Sequence, residues 1–273
     1  MIDLKDTMAT IGAHLVDGSP RALTYAALEC RLAIERICYG RLASHHDYIS
    51  PEEVRRWQPH HVIRILEEDV DPHVAATYTL SISRQPVAGG EDLAALDYVP
   101  VGTQEGFDGR RISKLWNALS NAALHVSKPK SSAARLEQYG SAPEIRAKVE
   151  DALAEIERIS KGTMTSTGFG PNVTFTCACG TLVRRRAELV PSGKIIFCIN
   201  PDCSESFEVA HDGDDINFIL RKIEMTCICG EARKFAMAPL EKLRMQETHN
   251  EKCACGAEHI FHWRLFHGIR RPE

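Results

Sequence analysis

The residues best equipped for chemistry in this chain are its cysteines. Of ten in all, Cys30 and Cys38 stand alone in the first half, and the other eight form four close pairs. The pairs read Cys177-Ala-Cys179-Gly, Cys198-Ile-Asn-Pro-Asp-Cys203, Cys227-Ile-Cys229-Gly and Cys253-Ala-Cys255-Gly. In a reducing compartment, thiols spaced like this suit metal-bound thiolates rather than disulfides. Tetrahedral zinc takes four such ligands, so two successive fours predict two sites. The first takes Cys177, Cys179, Cys198 and Cys203, and the second takes Cys227, Cys229, Cys253 and Cys255. Four protein ligands close a site against water, which predicts two structural zinc ions rather than a hydrolytic one. Imidazole is an equally good ligand, and His211, His249, His259 and His262 lie near enough in sequence for one to replace a thiolate.

The elements that must position these thiols are also readable. Phe175-Thr-Cys-Ala-Cys-Gly180 is echoed fifty residues later by Met225-Thr-Cys-Ile-Cys-Gly230, so each copy opens one unit. After the first pair, Thr181 to Arg186 and Lys194 to Phe197 have strand character around a Pro191-Ser192-Gly193 turn. Glycine after each CxC suits a tight knuckle, where positive φ aims backbone N–H groups at sulfur. On these residues the stretch 173–266 resembles a tandem of zinc ribbons, set at 172–222 and 223–273. Three of its four pairs are CxC where ribbons more often carry CxxC. The resemblance implies surfaces that dock nucleic acid or a protein partner.

Charge bears on that choice. The net charge is −4, which excludes a wholly cationic surface built for nucleic acid. Residues 163–273 hold 14 basic and 14 acidic side chains, so a nucleic-acid surface there would be local. Two candidates exist: Arg184, Arg185 and Arg186, and the tail Arg264, His267, Arg270 and Arg271 near Phe261, Trp263 and Phe266, where aromatic rings could stack bases. In the competing reading, Phe261, Trp263 and Leu265 alternate along a closing strand and fill its core, with the arginines as a solvated rim.

Residues 1–161 read mostly as helix. Helices are expected at Leu4 to Val16 and Arg21 to Ala43, broken by Gly18-Ser19-Pro20. The second is apolar around most of its circumference and should be central, with Cys30 and Cys38 as small core residues. A capping box at Ser50-Pro51-Glu52-Glu53 predicts a short helix through Trp57, and another follows Pro59 to about Asp69. Thr77 to Ser83 alternates like a strand, with Tyr78, Leu80 and Ile82 on one face. Val87 to Gly109 reads as loop, Arg110 to Val126 as helix, and Ser127 to Arg135 as a basic connection. A final amphipathic helix carries Ile145, Val149, Ala152, Leu153, Ile156 and Ile159, and 162–171 is the linker. The fold expected is α+β: a mainly α-helical N-terminal domain followed by two small β-rich ribbons.

Within the helix at 110–126, Leu119-Ser120-Asn121-Ala122-Ala123-Leu124-His125 resembles the signature of HEPN domains, the helical modules of prokaryotic toxin and defence ribonucleases. That signature is Arg, a polar residue such as Asn, three variable positions, then His. Asn121 and His125 match, and Ser120 stands where the arginine belongs. The resemblance implies a helical fold that dimerises, with Asn121 and His125 at the site. Without the arginine, stabilisation of developing negative charge is missing. Arg41, His45 and His46 form an alternative set at compatible spacing, with Asp47 able to orient one imidazole. Bottom-up, Lys114, Asn117, Asn121 and His125 make a polar stripe that also suits a solvated or dimer-contact face.

The chain of 273 residues has no run of the roughly 18–20 apolar residues that a membrane helix needs. Its start has no basic and apolar leader, which predicts a cytoplasmic protein with no membrane partner. It also carries no phosphate-binding glycine loop or nucleophile elbow. The expectation is therefore a non-enzymatic zinc-binding adaptor, dimeric through its helical domain, whose ribbons dock nucleic acid or a protein partner, set in a bacterial defence or toxin–antitoxin assembly. The alternative is a metal-independent endoribonuclease.

Overall fold

The computed structural model describes residues 3–50, 54, 58–86, 89, 92–125, 140–165 and 170–264. The helix expected from Pro51-Glu52-Glu53 to Trp57, the basic connection 127–135, and Leu265, Phe266, His267, Arg270 and Arg271 lie outside the described residues. The chain divides near Gly170 into two compact units. Helices and small antiparallel sheets together make it an α+β protein. Among the described residues no helix is long and apolar enough to cross a membrane.

In the first unit α1 (Lys5–Asp17) stops at Gly18, whose φ of 66° suits a residue without Cβ. Ser19 then caps α2 (Pro20–Ala43), its hydroxyl accepting from the Ala22 amide at 3.2 Å, with proline at the first helical position. Packed on α2 are α1, α3 (Pro59–Asp69), α4 (Gly109–Leu119) and α5 (Ala142–Ser160). Cys30 and Cys38 are fully buried among Ala26, Ala33, Ile34 and Ile37. Burial pushes the Cys30 thiol up to about 12 and that of Cys38 higher still, so both are inert. One side of α2 departs from the expected all-round burial: Tyr25, Leu28 and Leu32 stay partly exposed. The stripe expected on α5 is buried at Ile145, Val149, Ala152, Ile156 and Ile159.

A hairpin of β1 (Tyr78–Ser83) and β2 (Tyr98–Gln104) sits among these helices. The second strand lies in the stretch that reads as loop, because Pro100 and Gly102 mask it. A two-stranded sheet has free outer edges, where a residue lacking an N–H is tolerated. The register shifts between Leu80 and Ser81, with Val101 the extra residue on β2; of the three expected on one face, Tyr78 and Leu80 are half-buried and Ile82 is exposed. Helix α4, capped by Asp108 through the Arg110 amide at 2.7 Å, widens into a π turn at Ser120–Leu124 and ends at an extended His125.

The second unit is built from paired strands. Sheet β3 (Asn172–Thr176) with β4 (Leu182–Arg186) stands beside a three-stranded sheet of β5 (Ile195–Phe197), β6 (Ser206–Asp212) and β7 (Asp215–Leu220). Phe175 stacks on Phe218 at 4.3 Å and meets Phe207 edge-on at 4.5 Å, completing a core with Val183, Val190, Ile196 and Val209. The following segment pairs β8 (Lys222–Thr226) with β9 (Ala232–Ala236), then passes through a short α6 (Met237–Glu241) to β10 (Thr248–Lys252) and β11 (Glu258–His262). It is thinner: Cys227, Phe235, Ala238 and Cys253 are its buried residues among those described. Phe261 packs on Phe235 at 4.9 Å. Trp263 does not join that core as expected, because β11 ends at His262 and leaves the indole 59% exposed. Only Arg221 separates β7 from β8, and it clasps Glu241 with two hydrogen bonds of 2.8 and 2.5 Å.

Candidate metal centres

Three copies of one turn present most of the thiols. In each, the first cysteine amide donates to the carbonyl four residues on: Cys177 to Thr181 at 2.9 Å, Cys227 to Glu231 at 2.9 Å and Cys253 to Ala257 at 2.8 Å. The glycine amide then donates back to that cysteine's carbonyl, at 2.8, 2.8 and 2.9 Å. Closing so tight a loop needs positive φ, and Gly180, Gly230 and Gly256 supply 86°, 87° and 89°. The Cx4C pair uses a different loop, in which the Cys198 amide donates to Glu205 and the Cys203 amide to Asn200. Antiparallel pairing then carries each turn to a partner turn from the far end of the same segment.

The outcome is two groups of four sulfurs, Cys177, Cys179, Cys198 and Cys203 in one and Cys227, Cys229, Cys253 and Cys255 in the other. Cross-pair sulfur separations are 3.8 Å for Cys177 to Cys203 and 3.6 Å for Cys179 to Cys198. In the second group they are 3.7 Å for Cys227 to Cys255 and 3.9 Å for Cys229 to Cys253. A disulfide would bring two sulfurs to about 2.05 Å. A tetrahedron of thiolates at about 2.3 Å from a central zinc has edges of about 3.8 Å. Either group could therefore hold a tetrahedral metal ion. Buried and exposed sulfurs alternate, with Cys177, Cys198, Cys227 and Cys253 inside and Cys179, Cys229 and Cys255 at the surface.

The local electrostatics lower one thiol in each group and raise others beside it. Cys179 is held at about 6, mainly by a hydrogen bond from the Thr181 hydroxyl and then from the Thr181 amide. Cys227 is held at about 6, first by the Cys229 amide, with His259 a smaller contributor. Their neighbours move the other way: burial pushes Cys203 up to about 11 and raises Cys198 further. Four thiols this close cannot all ionise against one another, and a central dication is what removes the conflict.

The histidines weighed as replacement ligands fall outside both sulfur groups. His211 lies 2.7 Å from the Val190 carbonyl, and His249 lies 3.2 Å from Glu251. Arg185 and Arg186 depart from the outward basic patch expected of them, being 2% and 1% exposed. A buried guanidinium needs acceptors, and these turn inward to find them: Arg185 donates to the Arg184 and Phe197 carbonyls, and Arg186 to Asn172. Arg184 is half-buried and Arg264 is exposed. In the helical unit Asn121 and His125 are both exposed, while Ser120 is buried and its hydroxyl donates to the Trp116 carbonyl at 2.9 Å. The alternative set is divided between interior and surface. His46 faces solvent beside Asp47 at 2.9 Å. Arg41 is buried, donating to the Gln104 side-chain oxygen and the Glu105 carbonyl. His45 is buried with Nδ1 donating to the Arg41 carbonyl and Nε2 4.0 Å from Asp71.

Sequence reasoning found the sulfurs and missed the groups that touch them, Thr181, Asn200 and Glu231. A comparison of the residue after each CxCG, which is Thr181, Glu231 and Ala257 in turn, would have flagged them. Compared with known proteins, the chain matches no family model, no curated protein and no solved structure.

Proposed function

We propose that this chain is a zinc-stabilised adaptor, in which a HEPN-like helical domain carries two zinc ribbons that dock a protein partner. The observation that carries the reading is the pair of four-sulfur groups with separations of 3.6 to 3.9 Å. Eight cysteines at tetrahedral spacing are a folding device, since a site closed by four thiolates offers no position for a reacting water. Held there, the ion would supply folding free energy that the thin second segment lacks from apolar burial.

The choice of a protein partner over nucleic acid follows from the surface. Arg185 and Arg186 are buried, whereas Ile228, Ile260 and Trp263 are 94%, 61% and 59% exposed. Apolar and aromatic side chains of this kind are what protein interfaces bury at their centres. The helical domain keeps Asn121 and His125 at its surface, where they suit a contact between two copies.

Metal analysis of the purified full chain tests the reading. Two zinc ions per chain are expected in the wild type, one in Cys198→Ser and two in Cys30→Ala; fewer than two in the wild type overturns it. An RNA-cleavage assay separates the adaptor from the ribonuclease. No cleavage by wild type or His125→Ala is expected, and cleavage that disappears in His125→Ala would replace the adaptor with an endoribonuclease.

A further inference from the structure

The two sulfur groups share one turn but not one environment. At the first, the Cys179 sulfur lies 3.3 Å from the Thr181 hydroxyl and 3.8 Å from the Asn200 amide nitrogen. Both groups can donate to a thiolate. Cys177 and Cys198 are also set into the core with Val183, Val190, Ile196 and Phe207. In the second copy of the turn Glu231 stands in place of Thr181, and its carboxylate lies 3.5 Å from the Cys253 sulfur. A carboxylate opposes a thiolate at that distance instead of stabilising it. In the third copy the position is Ala257, which donates nothing from its side chain.

Four thiolates around a zinc ion carry a formal excess of two negative charges, so outside donors strengthen the site and outside carboxylates weaken it.

We propose that the second centre is the exchangeable one, and that Glu231 is the residue that loosens it by setting its carboxylate against the Cys253 sulfur. This rests on the zinc reading. The first centre, with two neutral donors and a packed core, holds its ion. The second, with Glu231 against it and little apolar burial beneath, releases its ion to a competing ligand.

The test is zinc release from the full chain, loaded with two zinc ions, to the chromogenic chelator 4-(2-pyridylazo)resorcinol. Two phases of one zinc each are expected. Only the fast phase should remain in Cys179→Ser and only the slow phase in Cys229→Ser. Glu231 is exposed, so Glu231→Thr tests the idea without disturbing packing and should slow the fast phase by about 10-fold, the low end of the range typical of outer-sphere changes, and Glu231→Gln should slow it in the same direction. Two zinc ions leaving in one phase, or a fast phase indifferent to both Glu231→Thr and Glu231→Gln, overturns the proposal. Failure of the zinc reading is distinct, because it leaves fewer than two ions to release.

Discussion

At the scale of single residues, the difference between inert and reactive cysteines follows from neighbours. Cys30 and Cys38 share a composition-level identity with the other eight, yet their thiols lie in an aliphatic core that penalises the charged form. Cys179 is exposed and held at about 6 against an ordinary value of 9.0, by hydrogen bonds from Thr181. At pH 7 such a group is about nine-tenths thiolate, where an ordinary thiol is about one-hundredth. Metal-free protein at pH 7 should therefore be alkylated by iodoacetamide at Cys179 ahead of Cys227, which is held as low but is buried. Thr181→Val, which removes the hydroxyl donor, raises the thiol and lowers the thiolate fraction. Labelling at Cys179 should slow by about tenfold, read by peptide mass spectrometry. Equal labelling rates in the two proteins would show that Thr181 does not set this thiol.

At the scale of elements, the CxCG turn is the unit that matters, and its glycine is required by conformation rather than by space. A Cβ added at Gly180 or Gly230 meets nothing within 4 Å, so the cost of Gly180→Ala or Gly230→Ala is the left-handed φ alone. That cost is about 1–2 kcal/mol. Gly12 in α1 also has open space around an added Cβ, but its conformation is helical. Gly12→Ala should stabilise by about 0.5–1 kcal/mol, measured as a denaturation midpoint moving in the opposite direction from Gly180→Ala. Equal effects at the two positions would contradict the turn geometry. The CxCG turns were legible because sequence adjacency carries their whole structure. The partner strand β2 was not, since its pairing with β1 is a long-range contact that Pro100 and Gly102 obscure. The π turn at Ser120–Leu124 was equally hidden, because its wider hydrogen bonding is imposed by packing rather than by any residue's preference.

At the scale of the whole molecule, the two compact units are stabilised by different means. The helical unit has an extensive aliphatic core running from Leu4 to Ile159. In the strand unit the first segment has a small core, and the second has four buried residues among those described, two of them candidate metal ligands. Below a sufficient core, a domain leans on metal or crosslinks. Excess chelator should therefore abolish strand structure from the second segment while the helical signal near 222 nm persists. Hydrogen exchange should locate the new exposure at β8–β11, ahead of β3–β7. Cooperative loss of helix along with strand would show instead that the helical unit depends on the metal. Within the strand unit Arg221 is the residue between β7 and β8, its paired bonds to Glu241 tie the joint to α6, and Lys222 bridges back to Glu205 at 2.9 Å.

Residue types and their order were enough to say which atoms gather: the two sets of four cysteines, their assignment to successive segments, the glycine turns and the helices α1 to α5. All of these depend on spacing along the chain, and spacing is a local property. Tertiary structure decided what those atoms touch. It turned Arg185 and Arg186 inward to their acceptors, left Trp263 beyond the last strand, and set Glu231 against the second group of sulfurs. These outcomes depend on which strands pair and where a side chain finds its acceptor, and those contacts join residues that the linear order keeps apart.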